Sequence, residues 1–280
     1  MTSLNRVVSV EPVIPPGALL GRIGDLEVRL ARNPAEIAAA QKVRFKVFVE
    51  ELGARLGKDA DGHDIDAYDA YCDHLLVLDT SKQGSVADRI VGTYRLLRQD
   101  VARAHQGFYS AGEFQIDALV ARHPERRFLE LGRSCVLPEY RTKRTVELLW
   151  QGIWAYARRH SIDVMVGCAS FPGIAPAAHA LALSFLAHHS AAQGDWHIDA
   201  KRPMGYAMDL VPVEAVDMRE ALAEMPPLIK GYLRLGAKFG HECVVDVEFG
   251  TTDVFVVLPV ESIADRYLNY YGADATRFAA

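Results

Sequence analysis

The stretch FLELGRSCVLPEYRTKRTV, from Phe128 to Val146, decides how the rest of the chain is interpreted. Its residues up to Cys135 alternate with the two-residue period of a β-strand. Pro138 and Glu139 end this strand, and the residues after Tyr140 lead into an amphipathic helix. The stretch therefore predicts a strand followed directly by a helix.

Two charged residues, Glu130 and Arg133, lie inside this strand, where a charge is costly unless it is paired or used. Residues three apart point to opposite faces of a regular strand, so a β-bulge at Gly132 would bring both to one side and free a backbone N–H group. A free N–H, a carboxylate and a basic turn at a helix N-terminus together suggest a site for transfer onto or from a phosphorylated carrier. A structural ion pair within the strand is the alternative.

Composition bounds the class of protein. The 280 residues, half of them hydrophobic, predict one main domain with additions rather than two equal domains. A formal charge of −5 and a pI near 6.1 argue against nucleic acid as a partner. No apolar run is long enough for a membrane span, and the N-terminus is too weakly apolar for a signal peptide. The four cysteines form no CxxC pair, which predicts reduced thiols in the cytoplasm.

Three parts are predicted along the chain. Residues 1–22 contain several prolines and form an N-terminal arm, residues 23–260 form the catalytic domain, and residues 261–280 form a C-terminal tail. Within the domain, Asn33 to Glu36 is a capping signature for a helix that runs to about Leu52.

The remaining predicted elements follow the same period and breaker rules. They are strands at Leu26–Ala31, His74–Asp79 and Ile90–Leu97, a helix from about Thr142 to His160, a strand at Asp163–Ser170, helices near Ala175–Ala192 and at Leu228–Leu235, and strands at Glu242–Phe249 and Asp253–Pro259. This order predicts an α/β fold with a sheet of mixed direction.

No metal site is predicted. The aspartate-rich segment from Lys58 to Asp73 lacks the glycine and the terminal glutamate of a calcium-binding EF-hand loop. The histidines of the alanine-rich helix have no carboxylate or thiol at ligand spacing.

The order of elements and the central stretch resemble the GNAT acyltransferase superfamily, which implies a mixed, mostly antiparallel sheet flanked by helices. In that superfamily the turn after the bulged strand holds the donor's phosphates and reads Q/R-x-x-G-x-G/A. Here Arg141 keeps the basic first position, but both glycines are missing, and Lys143 and Arg144 occupy the turn. Without glycines the backbone cannot approach a CoA pyrophosphate closely, whereas a basic turn suits the single phosphate of phosphopantetheine on an acidic acyl carrier protein.

The chain also resembles the acyl-homoserine lactone synthases at several separate positions. These are Arg44 and Phe48 for R-x-x-x-F, Asp66 and Asp69 for D-x-x-D, Arg95 for the arginine of the third strand, and Glu130 with Arg133 for E-x-x-R. The tryptophan that those synthases carry after the first helix is Ala54 here, which argues against their S-adenosylmethionine substrate.

A closer resemblance is to the bacterial L-ornithine N-alpha-acyltransferases. The segments that carry it are IVGTYRLL (Ile90–Leu97), FLELGRSCVLPEYR (Phe128–Arg141), PPLIKGYLRLGA (Pro226–Ala237) and FGTTDVFVVLP (Phe249–Pro259). The resemblance implies transfer of a 3-hydroxy fatty acyl group from acyl carrier protein to the α-amine of L-ornithine, giving lyso-ornithine lipid.

The same resemblance implies no cofactor of the protein's own, because the 4'-phosphopantetheine arrives on the carrier. It places the protein in the cytoplasm and leaves peripheral contact with the inner membrane leaflet open. Another amino acid or amine acceptor, an acyl-homoserine lactone synthase, and a non-catalytic protein that binds acyl carrier protein or membrane are the alternatives.

For the chemistry, an α-amine with a pKa of about 8 is mostly protonated in the cell and needs a base to become a nucleophile. Glu130 is the candidate base, with a pKa raised by burial, and backbone N–H groups after Gly132 are candidates for holding the thioester oxygen. Arg133 is expected to orient Glu130 or the carrier's arm, with a structural role as the alternative. Donor phosphate binding is assigned to the basic turn, Arg141, Lys143 and Arg144.

For the acceptor, a guanidinium suits a carboxylate, and carboxylates suit a side-chain ammonium. Arg44 or Arg95 is expected to bind the ornithine carboxylate. Asp66 and Asp69 either bind the ammonium or form an ion network with those arginines, and for Asp66 the network is favoured.

Overall fold

The computed structural model describes residues 15–55 and 61–264, and one sheet dominates these ranges. Its nine strands are β1 Leu19–Ile23, β2 Leu26–Leu30, β3 Asp73–Asp79, β4 Ile90–Arg98, β5 Phe128–Val136, β6 Val164–Pro172, β7 Gly205–Ala207, β8 Lys238–Asp246 and β9 Thr251–Pro259. The α-helices are α1 Pro34–Phe45, α2 Val86–Arg89, α3 Gln99–Ala104, α4 Ile116–Arg122, α5 Lys143–Arg159, α6 Ala180–His189, α7 Met218–Glu224 and α8 Pro227–Leu235.

The strands are ordered β1-β2-β3-β4-β5-β6-β9-β8-β7 across the sheet. Each neighbouring pair is antiparallel except β5 and β6, which are parallel. The predicted class, a mixed and mostly antiparallel sheet flanked by helices, is therefore confirmed.

The parallel contact between β5 and β6 is short. It pairs residues 128–130 with residues 164–166 and goes no further, although β6 continues to pair with β9 up to Pro172. From Leu131 onward the side of β5 that faces β6 pairs with no strand of the described ranges, so the sheet opens into a fork. A Cβ atom at Gly167 would lie 2.3 Å from the carbonyl oxygen of Leu131, so only glycine allows the two backbones to meet where the fork begins.

The predicted bulge in β5 is present. Thr93 lies opposite Cys135 and Arg95 lies opposite Gly132, so β5 contains one residue more than β4 between these pairs. The left-handed backbone conformation falls on Arg133, whose φ is 50°, rather than on Gly132. As a result Glu130 and Arg133 both line the fork.

An apolar core lies on each face of the sheet, because successive residues of a strand point to opposite faces. Leu129, Leu131 and Met165 pack in the core that also contains side chains of α1, α5, α6 and α8. Phe128 and Val164 pack in a second core with side chains of α3 and α4. The cleft described below lies at the fork, where β5 and β6 separate.

Several boundaries differ from the sequence prediction. The predicted arm extended to residue 22, but Leu19–Ile23 forms β1 and pairs with β2, because Leu20 is an apolar side chain that becomes fully buried there. Residues 1–14 of that arm and residues 265–280 of the predicted tail lie outside the described residues. The strand predicted at Glu242–Phe249 is Lys238–Asp246 instead, since the Asp246 carboxylate accepts the N–H groups of Glu248 and Phe249 and closes a turn.

The first helix also differs from the prediction. Asn33 caps it as expected, with its side chain accepting the N–H of Glu36 at 3.1 Å. The α-helix ends at Phe45, however, and the predicted continuation to Leu52 is a π-helical turn, Lys46–Glu51. A π-turn carries an additional residue per turn and is frequent near functional sites. Here it carries Phe48 to the cleft while Arg44, one turn earlier, stays in the interior.

Candidate active site

A cleft of about 260 Å³ lies in the fork between β5 and β6. The residues that line it come from both sides of the fork and from the π-turn. Among them are Phe48, Tyr94, Arg95, Tyr109, Glu130, Gly132, Arg133, Ser134, Cys168, Ser170, Asp246, Phe249 and Asp253. The unpaired edge of β5 forms one wall, so backbone polar groups and ionisable side chains meet in one enclosed space.

Glu130 lies in the wall of this cleft and is only 4% exposed. Its carboxylate accepts two backbone hydrogen bonds, from the N–H of Tyr109 to Oε2 at 2.7 Å and from the N–H of Ser110 to Oε1 at 2.8 Å. Burial raises the pKa of Glu130 above its usual range, although these hydrogen bonds counteract the shift. A buried, fixed carboxylate with a raised pKa is suited to accept a proton near neutral pH.

An arginine–aspartate network lies beside Glu130. It consists of three arginines and three aspartates, Arg44, Arg95, Arg133, Asp64, Asp66 and Asp69. Three positive and three negative charges face one another, so the network is balanced within itself. Buried charges require such pairing, because each is costly to remove from water.

The inner part of the network is sealed from the cleft. The fully buried guanidinium of Arg44 donates from Nε to Asp64 Oδ2 at 2.8 Å and from Nη1 to Asp69 Oδ1 at 2.7 Å. Asp69 also accepts the side-chain amide of Gln41 at 3.0 Å. Although burial opposes the shift, Arg44 and then Arg95 hold the pKa of Asp69 well below its usual range. Neither Arg44 nor Asp69 lines the cleft, so the structure places this expected acceptor pair in a packed ion network.

The outer part of the network borders the cleft. Arg95 Nη1 lies 2.5 Å from Asp66 Oδ1, and Arg133 Nη2 lies 3.1 Å from Asp66 Oδ2, so Asp66 bridges the two arginines. The Arg133 guanidinium lies 4.7 Å from the ring centre of Tyr109 and 4.4 Å from that of Phe249. It is thus directed to Asp66 and to two aromatic rings and not to Glu130, which it was expected to orient. Of the predicted acceptor residues, Arg95 is the one that lines the cleft.

The basic turn lies at the start of α5. Thr142 caps the helix by accepting the N–H of Thr145 at 3.3 Å, and the N–H groups of Lys143 and Arg144 have no partner in the described part of the chain. The Lys143 side chain is 88% exposed, and Arg144 is also exposed. Arg141 instead makes a bidentate pair with Glu51 at 2.6 Å for each oxygen, which raises its pKa. Lys143 lies 3.4 Å from Glu147 Oε1, a looser pairing than that of Arg141, so Lys143 and Arg144 are the more exposed cations of this turn.

Sequence reasoning missed a group of side chains on the opposite side of the fork. One ligand atom each from Glu113, Cys168 and Asp253 lies within 4.8 Å of the other two. We call Glu113, Asp246 and Asp253 the acidic cluster. Burial, then repulsion from Asp253 and Asp246, raises the pKa of Glu113 to about 7. Burial, and then Asp246, raises the pKa of Asp253 to about 6.

Cys168 belongs to this neighbourhood but remains a thiol. Burial, followed by the Glu113 carboxylate, raises its pKa well above 9, and its S–H donates to Glu113 Oε2 at 3.6 Å. All four cysteines of the chain are free. Within the described ranges no helix combines the length and the apolar character needed to cross a bilayer.

Comparison with known proteins places these features in a family. Residues 43–151 match the family model described as an acetyltransferase (GNAT) domain. An L-ornithine N(alpha)-acyltransferase from Agrobacterium fabrum is 66% identical over 261 residues, which cover 92% of this chain and 89% of the relative. An enzyme of the same name from Rhizobium meliloti is 61% identical over 278 residues, which cover 99% of this chain and 94% of the relative.

A solved structure of an N-acyl amino acid synthase from uncultured soil microbes matches with a TM-score of 0.48 and 11% identity, covering 84% of this chain and 91% of that chain. At this degree of likeness the sequence relatives, not the structural neighbour, decide the assignment. Their identity over nearly the whole chain shows that this protein is an acyltransferase and belongs to the family of bacterial L-ornithine N(alpha)-acyltransferases.

Proposed function

We propose that this protein transfers a 3-hydroxy fatty acyl group from acyl carrier protein to the α-amine of L-ornithine and so forms lyso-ornithine lipid. The observation that carries the proposal is the fork, where an unpaired strand edge, a buried carboxylate and charged walls enclose one cleft. The names of the relatives support ornithine as the acceptor.

The reaction forms an amide bond and breaks a thioester bond. The neutral α-amine attacks the thioester carbon, the tetrahedral intermediate collapses, and the phosphopantetheine sulfur leaves. Glu130 accepts the proton that the amine loses, directly or through a water molecule, and the departing sulfur is protonated to a thiol. Backbone N–H groups on the unpaired edge of β5 hold the negative charge that develops on the thioester oxygen.

The donor is expected to enter at the basic turn. Lys143 and Arg144 are exposed and carry unpartnered backbone N–H groups at the N-terminus of α5, which is a favourable position for one phosphate. The same cations suit the acidic surface of a carrier protein. The protein needs no cofactor of its own, because the 4'-phosphopantetheine is part of the donor.

The experiment compares two donors with the purified protein. A 3-hydroxyacyl group of fixed chain length is supplied either on acyl carrier protein or on CoA, together with ornithine, and N-acylornithine is measured by mass spectrometry. We expect kcat/KM to be at least tenfold higher with acyl carrier protein, since CoA offers a pyrophosphate for which this turn lacks the glycines. Equal kcat/KM for the two donors would remove the carrier assignment.

Acceptor choice is tested in a competition of ornithine, lysine, glycine and glutamine at equal concentrations. Ornithine is expected to lead, lysine to follow, and glycine to be used at least tenfold less well, a difference that needs about 1.4 kcal/mol. If glycine or glutamine gave the main product, the ornithine assignment would fail and the assignment as an acyltransferase would remain.

A further inference from the structure

The reaction described above has no use for the acidic cluster. Asp253 lies on β9 opposite Ser170 of β6, and Asp246 ends β8 opposite Thr251. Both line the cleft, and Glu113 lies next to Asp253. We propose that this cluster, with Asp253 as its main contact, binds the side-chain ammonium of the amino acid acceptor. The inference rests on the proposed function, which supplies an acceptor with such a group.

The first support is the state of the Asp253 carboxylate. Asp253 is only 7% exposed, and hydrogen bonds from the side chains of Thr251 and Ser170 lower its pKa. Its Oδ1 atom nevertheless accepts no hydrogen bond from any residue in the described ranges. A buried polar atom without a partner is costly, and a buried carboxylate more so. An ammonium group brings three N–H donors and a positive charge, so its binding would satisfy this atom and neutralise the charge.

The second support is the charge balance on the two sides of the cleft. The arginine–aspartate network pairs three cations with three carboxylates, whereas the acidic cluster contains three carboxylates and no cation of its own. The neighbouring cation, Arg133, is already engaged with Asp64 and Asp66. Burial, together with mutual repulsion, raises the pKa of Glu113 to about 7 and that of Asp253 to about 6. A bound cation would relieve this repulsion.

The third support is position. The fork lies between β5 and β6, and Asp253 lies on β9, the next strand beyond β6. Neighbouring strands are about 4.8 Å apart. An α-amine held in the fork would therefore leave a side chain of three methylene groups enough length to reach Asp253. A glycine acceptor has no group that could span this interval.

A metal ion is the competing occupant, because one ligand atom each from Glu113, Cys168 and Asp253 lies within 4.8 Å of the other two. Cys168 would have to lose its proton and bind as a thiolate. Without a metal ion, the thiol donates a hydrogen bond to Glu113 Oε2. An ammonium needs carboxylates only, and the acidic cluster supplies them without changing Cys168.

The test compares ornithine with norvaline, which has the same carbon chain without the terminal amine. The ratio of their kcat/KM values is measured at saturating acyl donor for the wild type, Asp253→Asn and Glu113→Gln, with Glu248→Gln as the matched control. Glu248 is an exposed glutamate on the β8–β9 turn and does not line the cleft. Asp253→Asn should lower the ratio at least tenfold, mainly by raising the KM for ornithine, and the control should keep the wild-type ratio.

A second readout separates binding from a structural role. Because Asp253→Asn removes a buried charge that no cation pairs, its melting temperature should equal or exceed that of the wild type. A clear decrease would identify Asp253 as a structural residue and contradict the proposal. Glu113→Gln leaves Asp253 in place and should lower the ornithine preference in the same direction, so the test does not depend on the folding of one variant.

The outcomes distinguish this inference from the proposed function. A wild type that does not prefer ornithine to norvaline would refute the proposed acceptor. A wild type that prefers ornithine, with both cluster variants keeping that preference, would refute the ammonium subsite and leave the proposed function intact. An ornithine preference that disappears with EDTA and returns with Zn²⁺ would replace the ammonium subsite by a metal site.

Discussion

The two sides of the cleft both contain three buried or half-buried carboxylates, but they differ in how these are paired. In the arginine–aspartate network, Asp64, Asp66 and Asp69 each contact at least one guanidinium at 3.3 Å or less. In the acidic cluster, Asp253 and Glu113 face one another and Asp246 without a cation of their own. The first arrangement stabilises the fold, and the second raises the energy of the unoccupied site.

This difference indicates where function resides. Proteins keep uncompensated buried charges mainly where a ligand or a reaction uses them, because such charges lower stability elsewhere. The presence of charge in a cleft is therefore less informative than its balance. By that criterion Asp66 and Asp69 of the D-x-x-D motif are structural, and the acidic cluster, to which the sequence analysis assigned no role, is the candidate for substrate binding.

The largest effect is expected at Glu130, which lies between the two regions. Glu130→Gln should lower kcat by a hundred- to ten-thousandfold, since general base catalysis contributes about that much. The amide oxygen can still accept one of the two backbone hydrogen bonds, whereas the other N–H loses its acceptor, so the variant should stay folded with a modestly lower melting temperature. Steady-state kinetics and thermal melting measure the two effects, with the exposed Glu139→Gln as the matched control. Turnover near the wild-type value in the folded variant would exclude Glu130 from the mechanism.

A direct test of the comparison is to remove one carboxylate from each side. Asp69→Asn leaves three buried or half-buried arginines facing two aspartates, and this unbalanced charge should lower the free energy of unfolding by about 3–5 kcal/mol. Asp253→Asn should not lower it. Urea unfolding monitored by circular dichroism gives both values under the same conditions. Equal losses of unfolding free energy in the two variants would show that the carboxylates on both sides of the cleft contribute equally to stability.

The pH dependence of stability should also separate the two regions, because their pKa shifts have opposite signs. The raised pKa of Glu113, about 7 against a usual 4.5, means that its contribution is present below pH 4.5 and is lost as the pH rises through 7. The lowered pKa of Asp69 means that its contribution is present above pH 3.8 and is lost on further acidification.

Melting temperatures measured between pH 5 and 8 report the contribution of Glu113. The melting temperature of the wild type should decline as the pH rises through this range, and Glu113→Gln should flatten the decline because it removes the titrating carboxyl group. The groups that face it, Asp253, Asp246, Cys168 and Arg133, remain in the variant. Saturating ornithine should flatten the decline as well, because a bound cation favours the charged carboxylates. An unchanged slope in Glu113→Gln would show that the raised pKa of Glu113 does not govern stability here.

The smallest effect is expected outside the cleft, at the exposed cations of α5. Lys143→Ala combined with Arg144→Ala should raise the KM for the acyl carrier protein donor about tenfold and leave kcat nearly unchanged, because surface charges act mainly on encounter. Arg158→Ala combined with Lys201→Ala removes the same charge from other exposed positions and should have little effect. Equal effects of the two double variants would indicate a general charge effect instead of a donor site.

Much of the fold could be predicted from the sequence, because its signals are local. The alternation from Phe128 to Cys135 and the cap at Asn33 each depend on a few neighbouring residues, and the structure has the strand and the cap at those places. The bulge could be predicted as well, since two charges at a spacing of three conflict with a regular strand.

The candidate site was predicted only in part, because pairing is not local. Glu113 and Asp253 are 140 residues apart in the chain, and nothing near either residue indicates the other. The aspartate-rich loop contains several similar carboxylates, so the part that Asp64 plays beside Arg44 and Arg133 could not be distinguished from that of its neighbours. Residues 99–127 form helices of six and seven residues, which are too short for a clear helical period.

The fork has a consequence for how this protein handles an exposed strand edge. Proteins usually cover or charge such edges at the rim of a sheet, because a free edge can pair with any extended chain. Here the free edge of β5 lies inside the sheet, between β4 and β6, where another protein's strand cannot reach it. An extended arm as thin as phosphopantetheine, which carries amide groups of its own, could enter and hydrogen-bond along it. The donor's arm would then fill the gap between β5 and β6, and it would have to enter and leave this gap in every catalytic cycle.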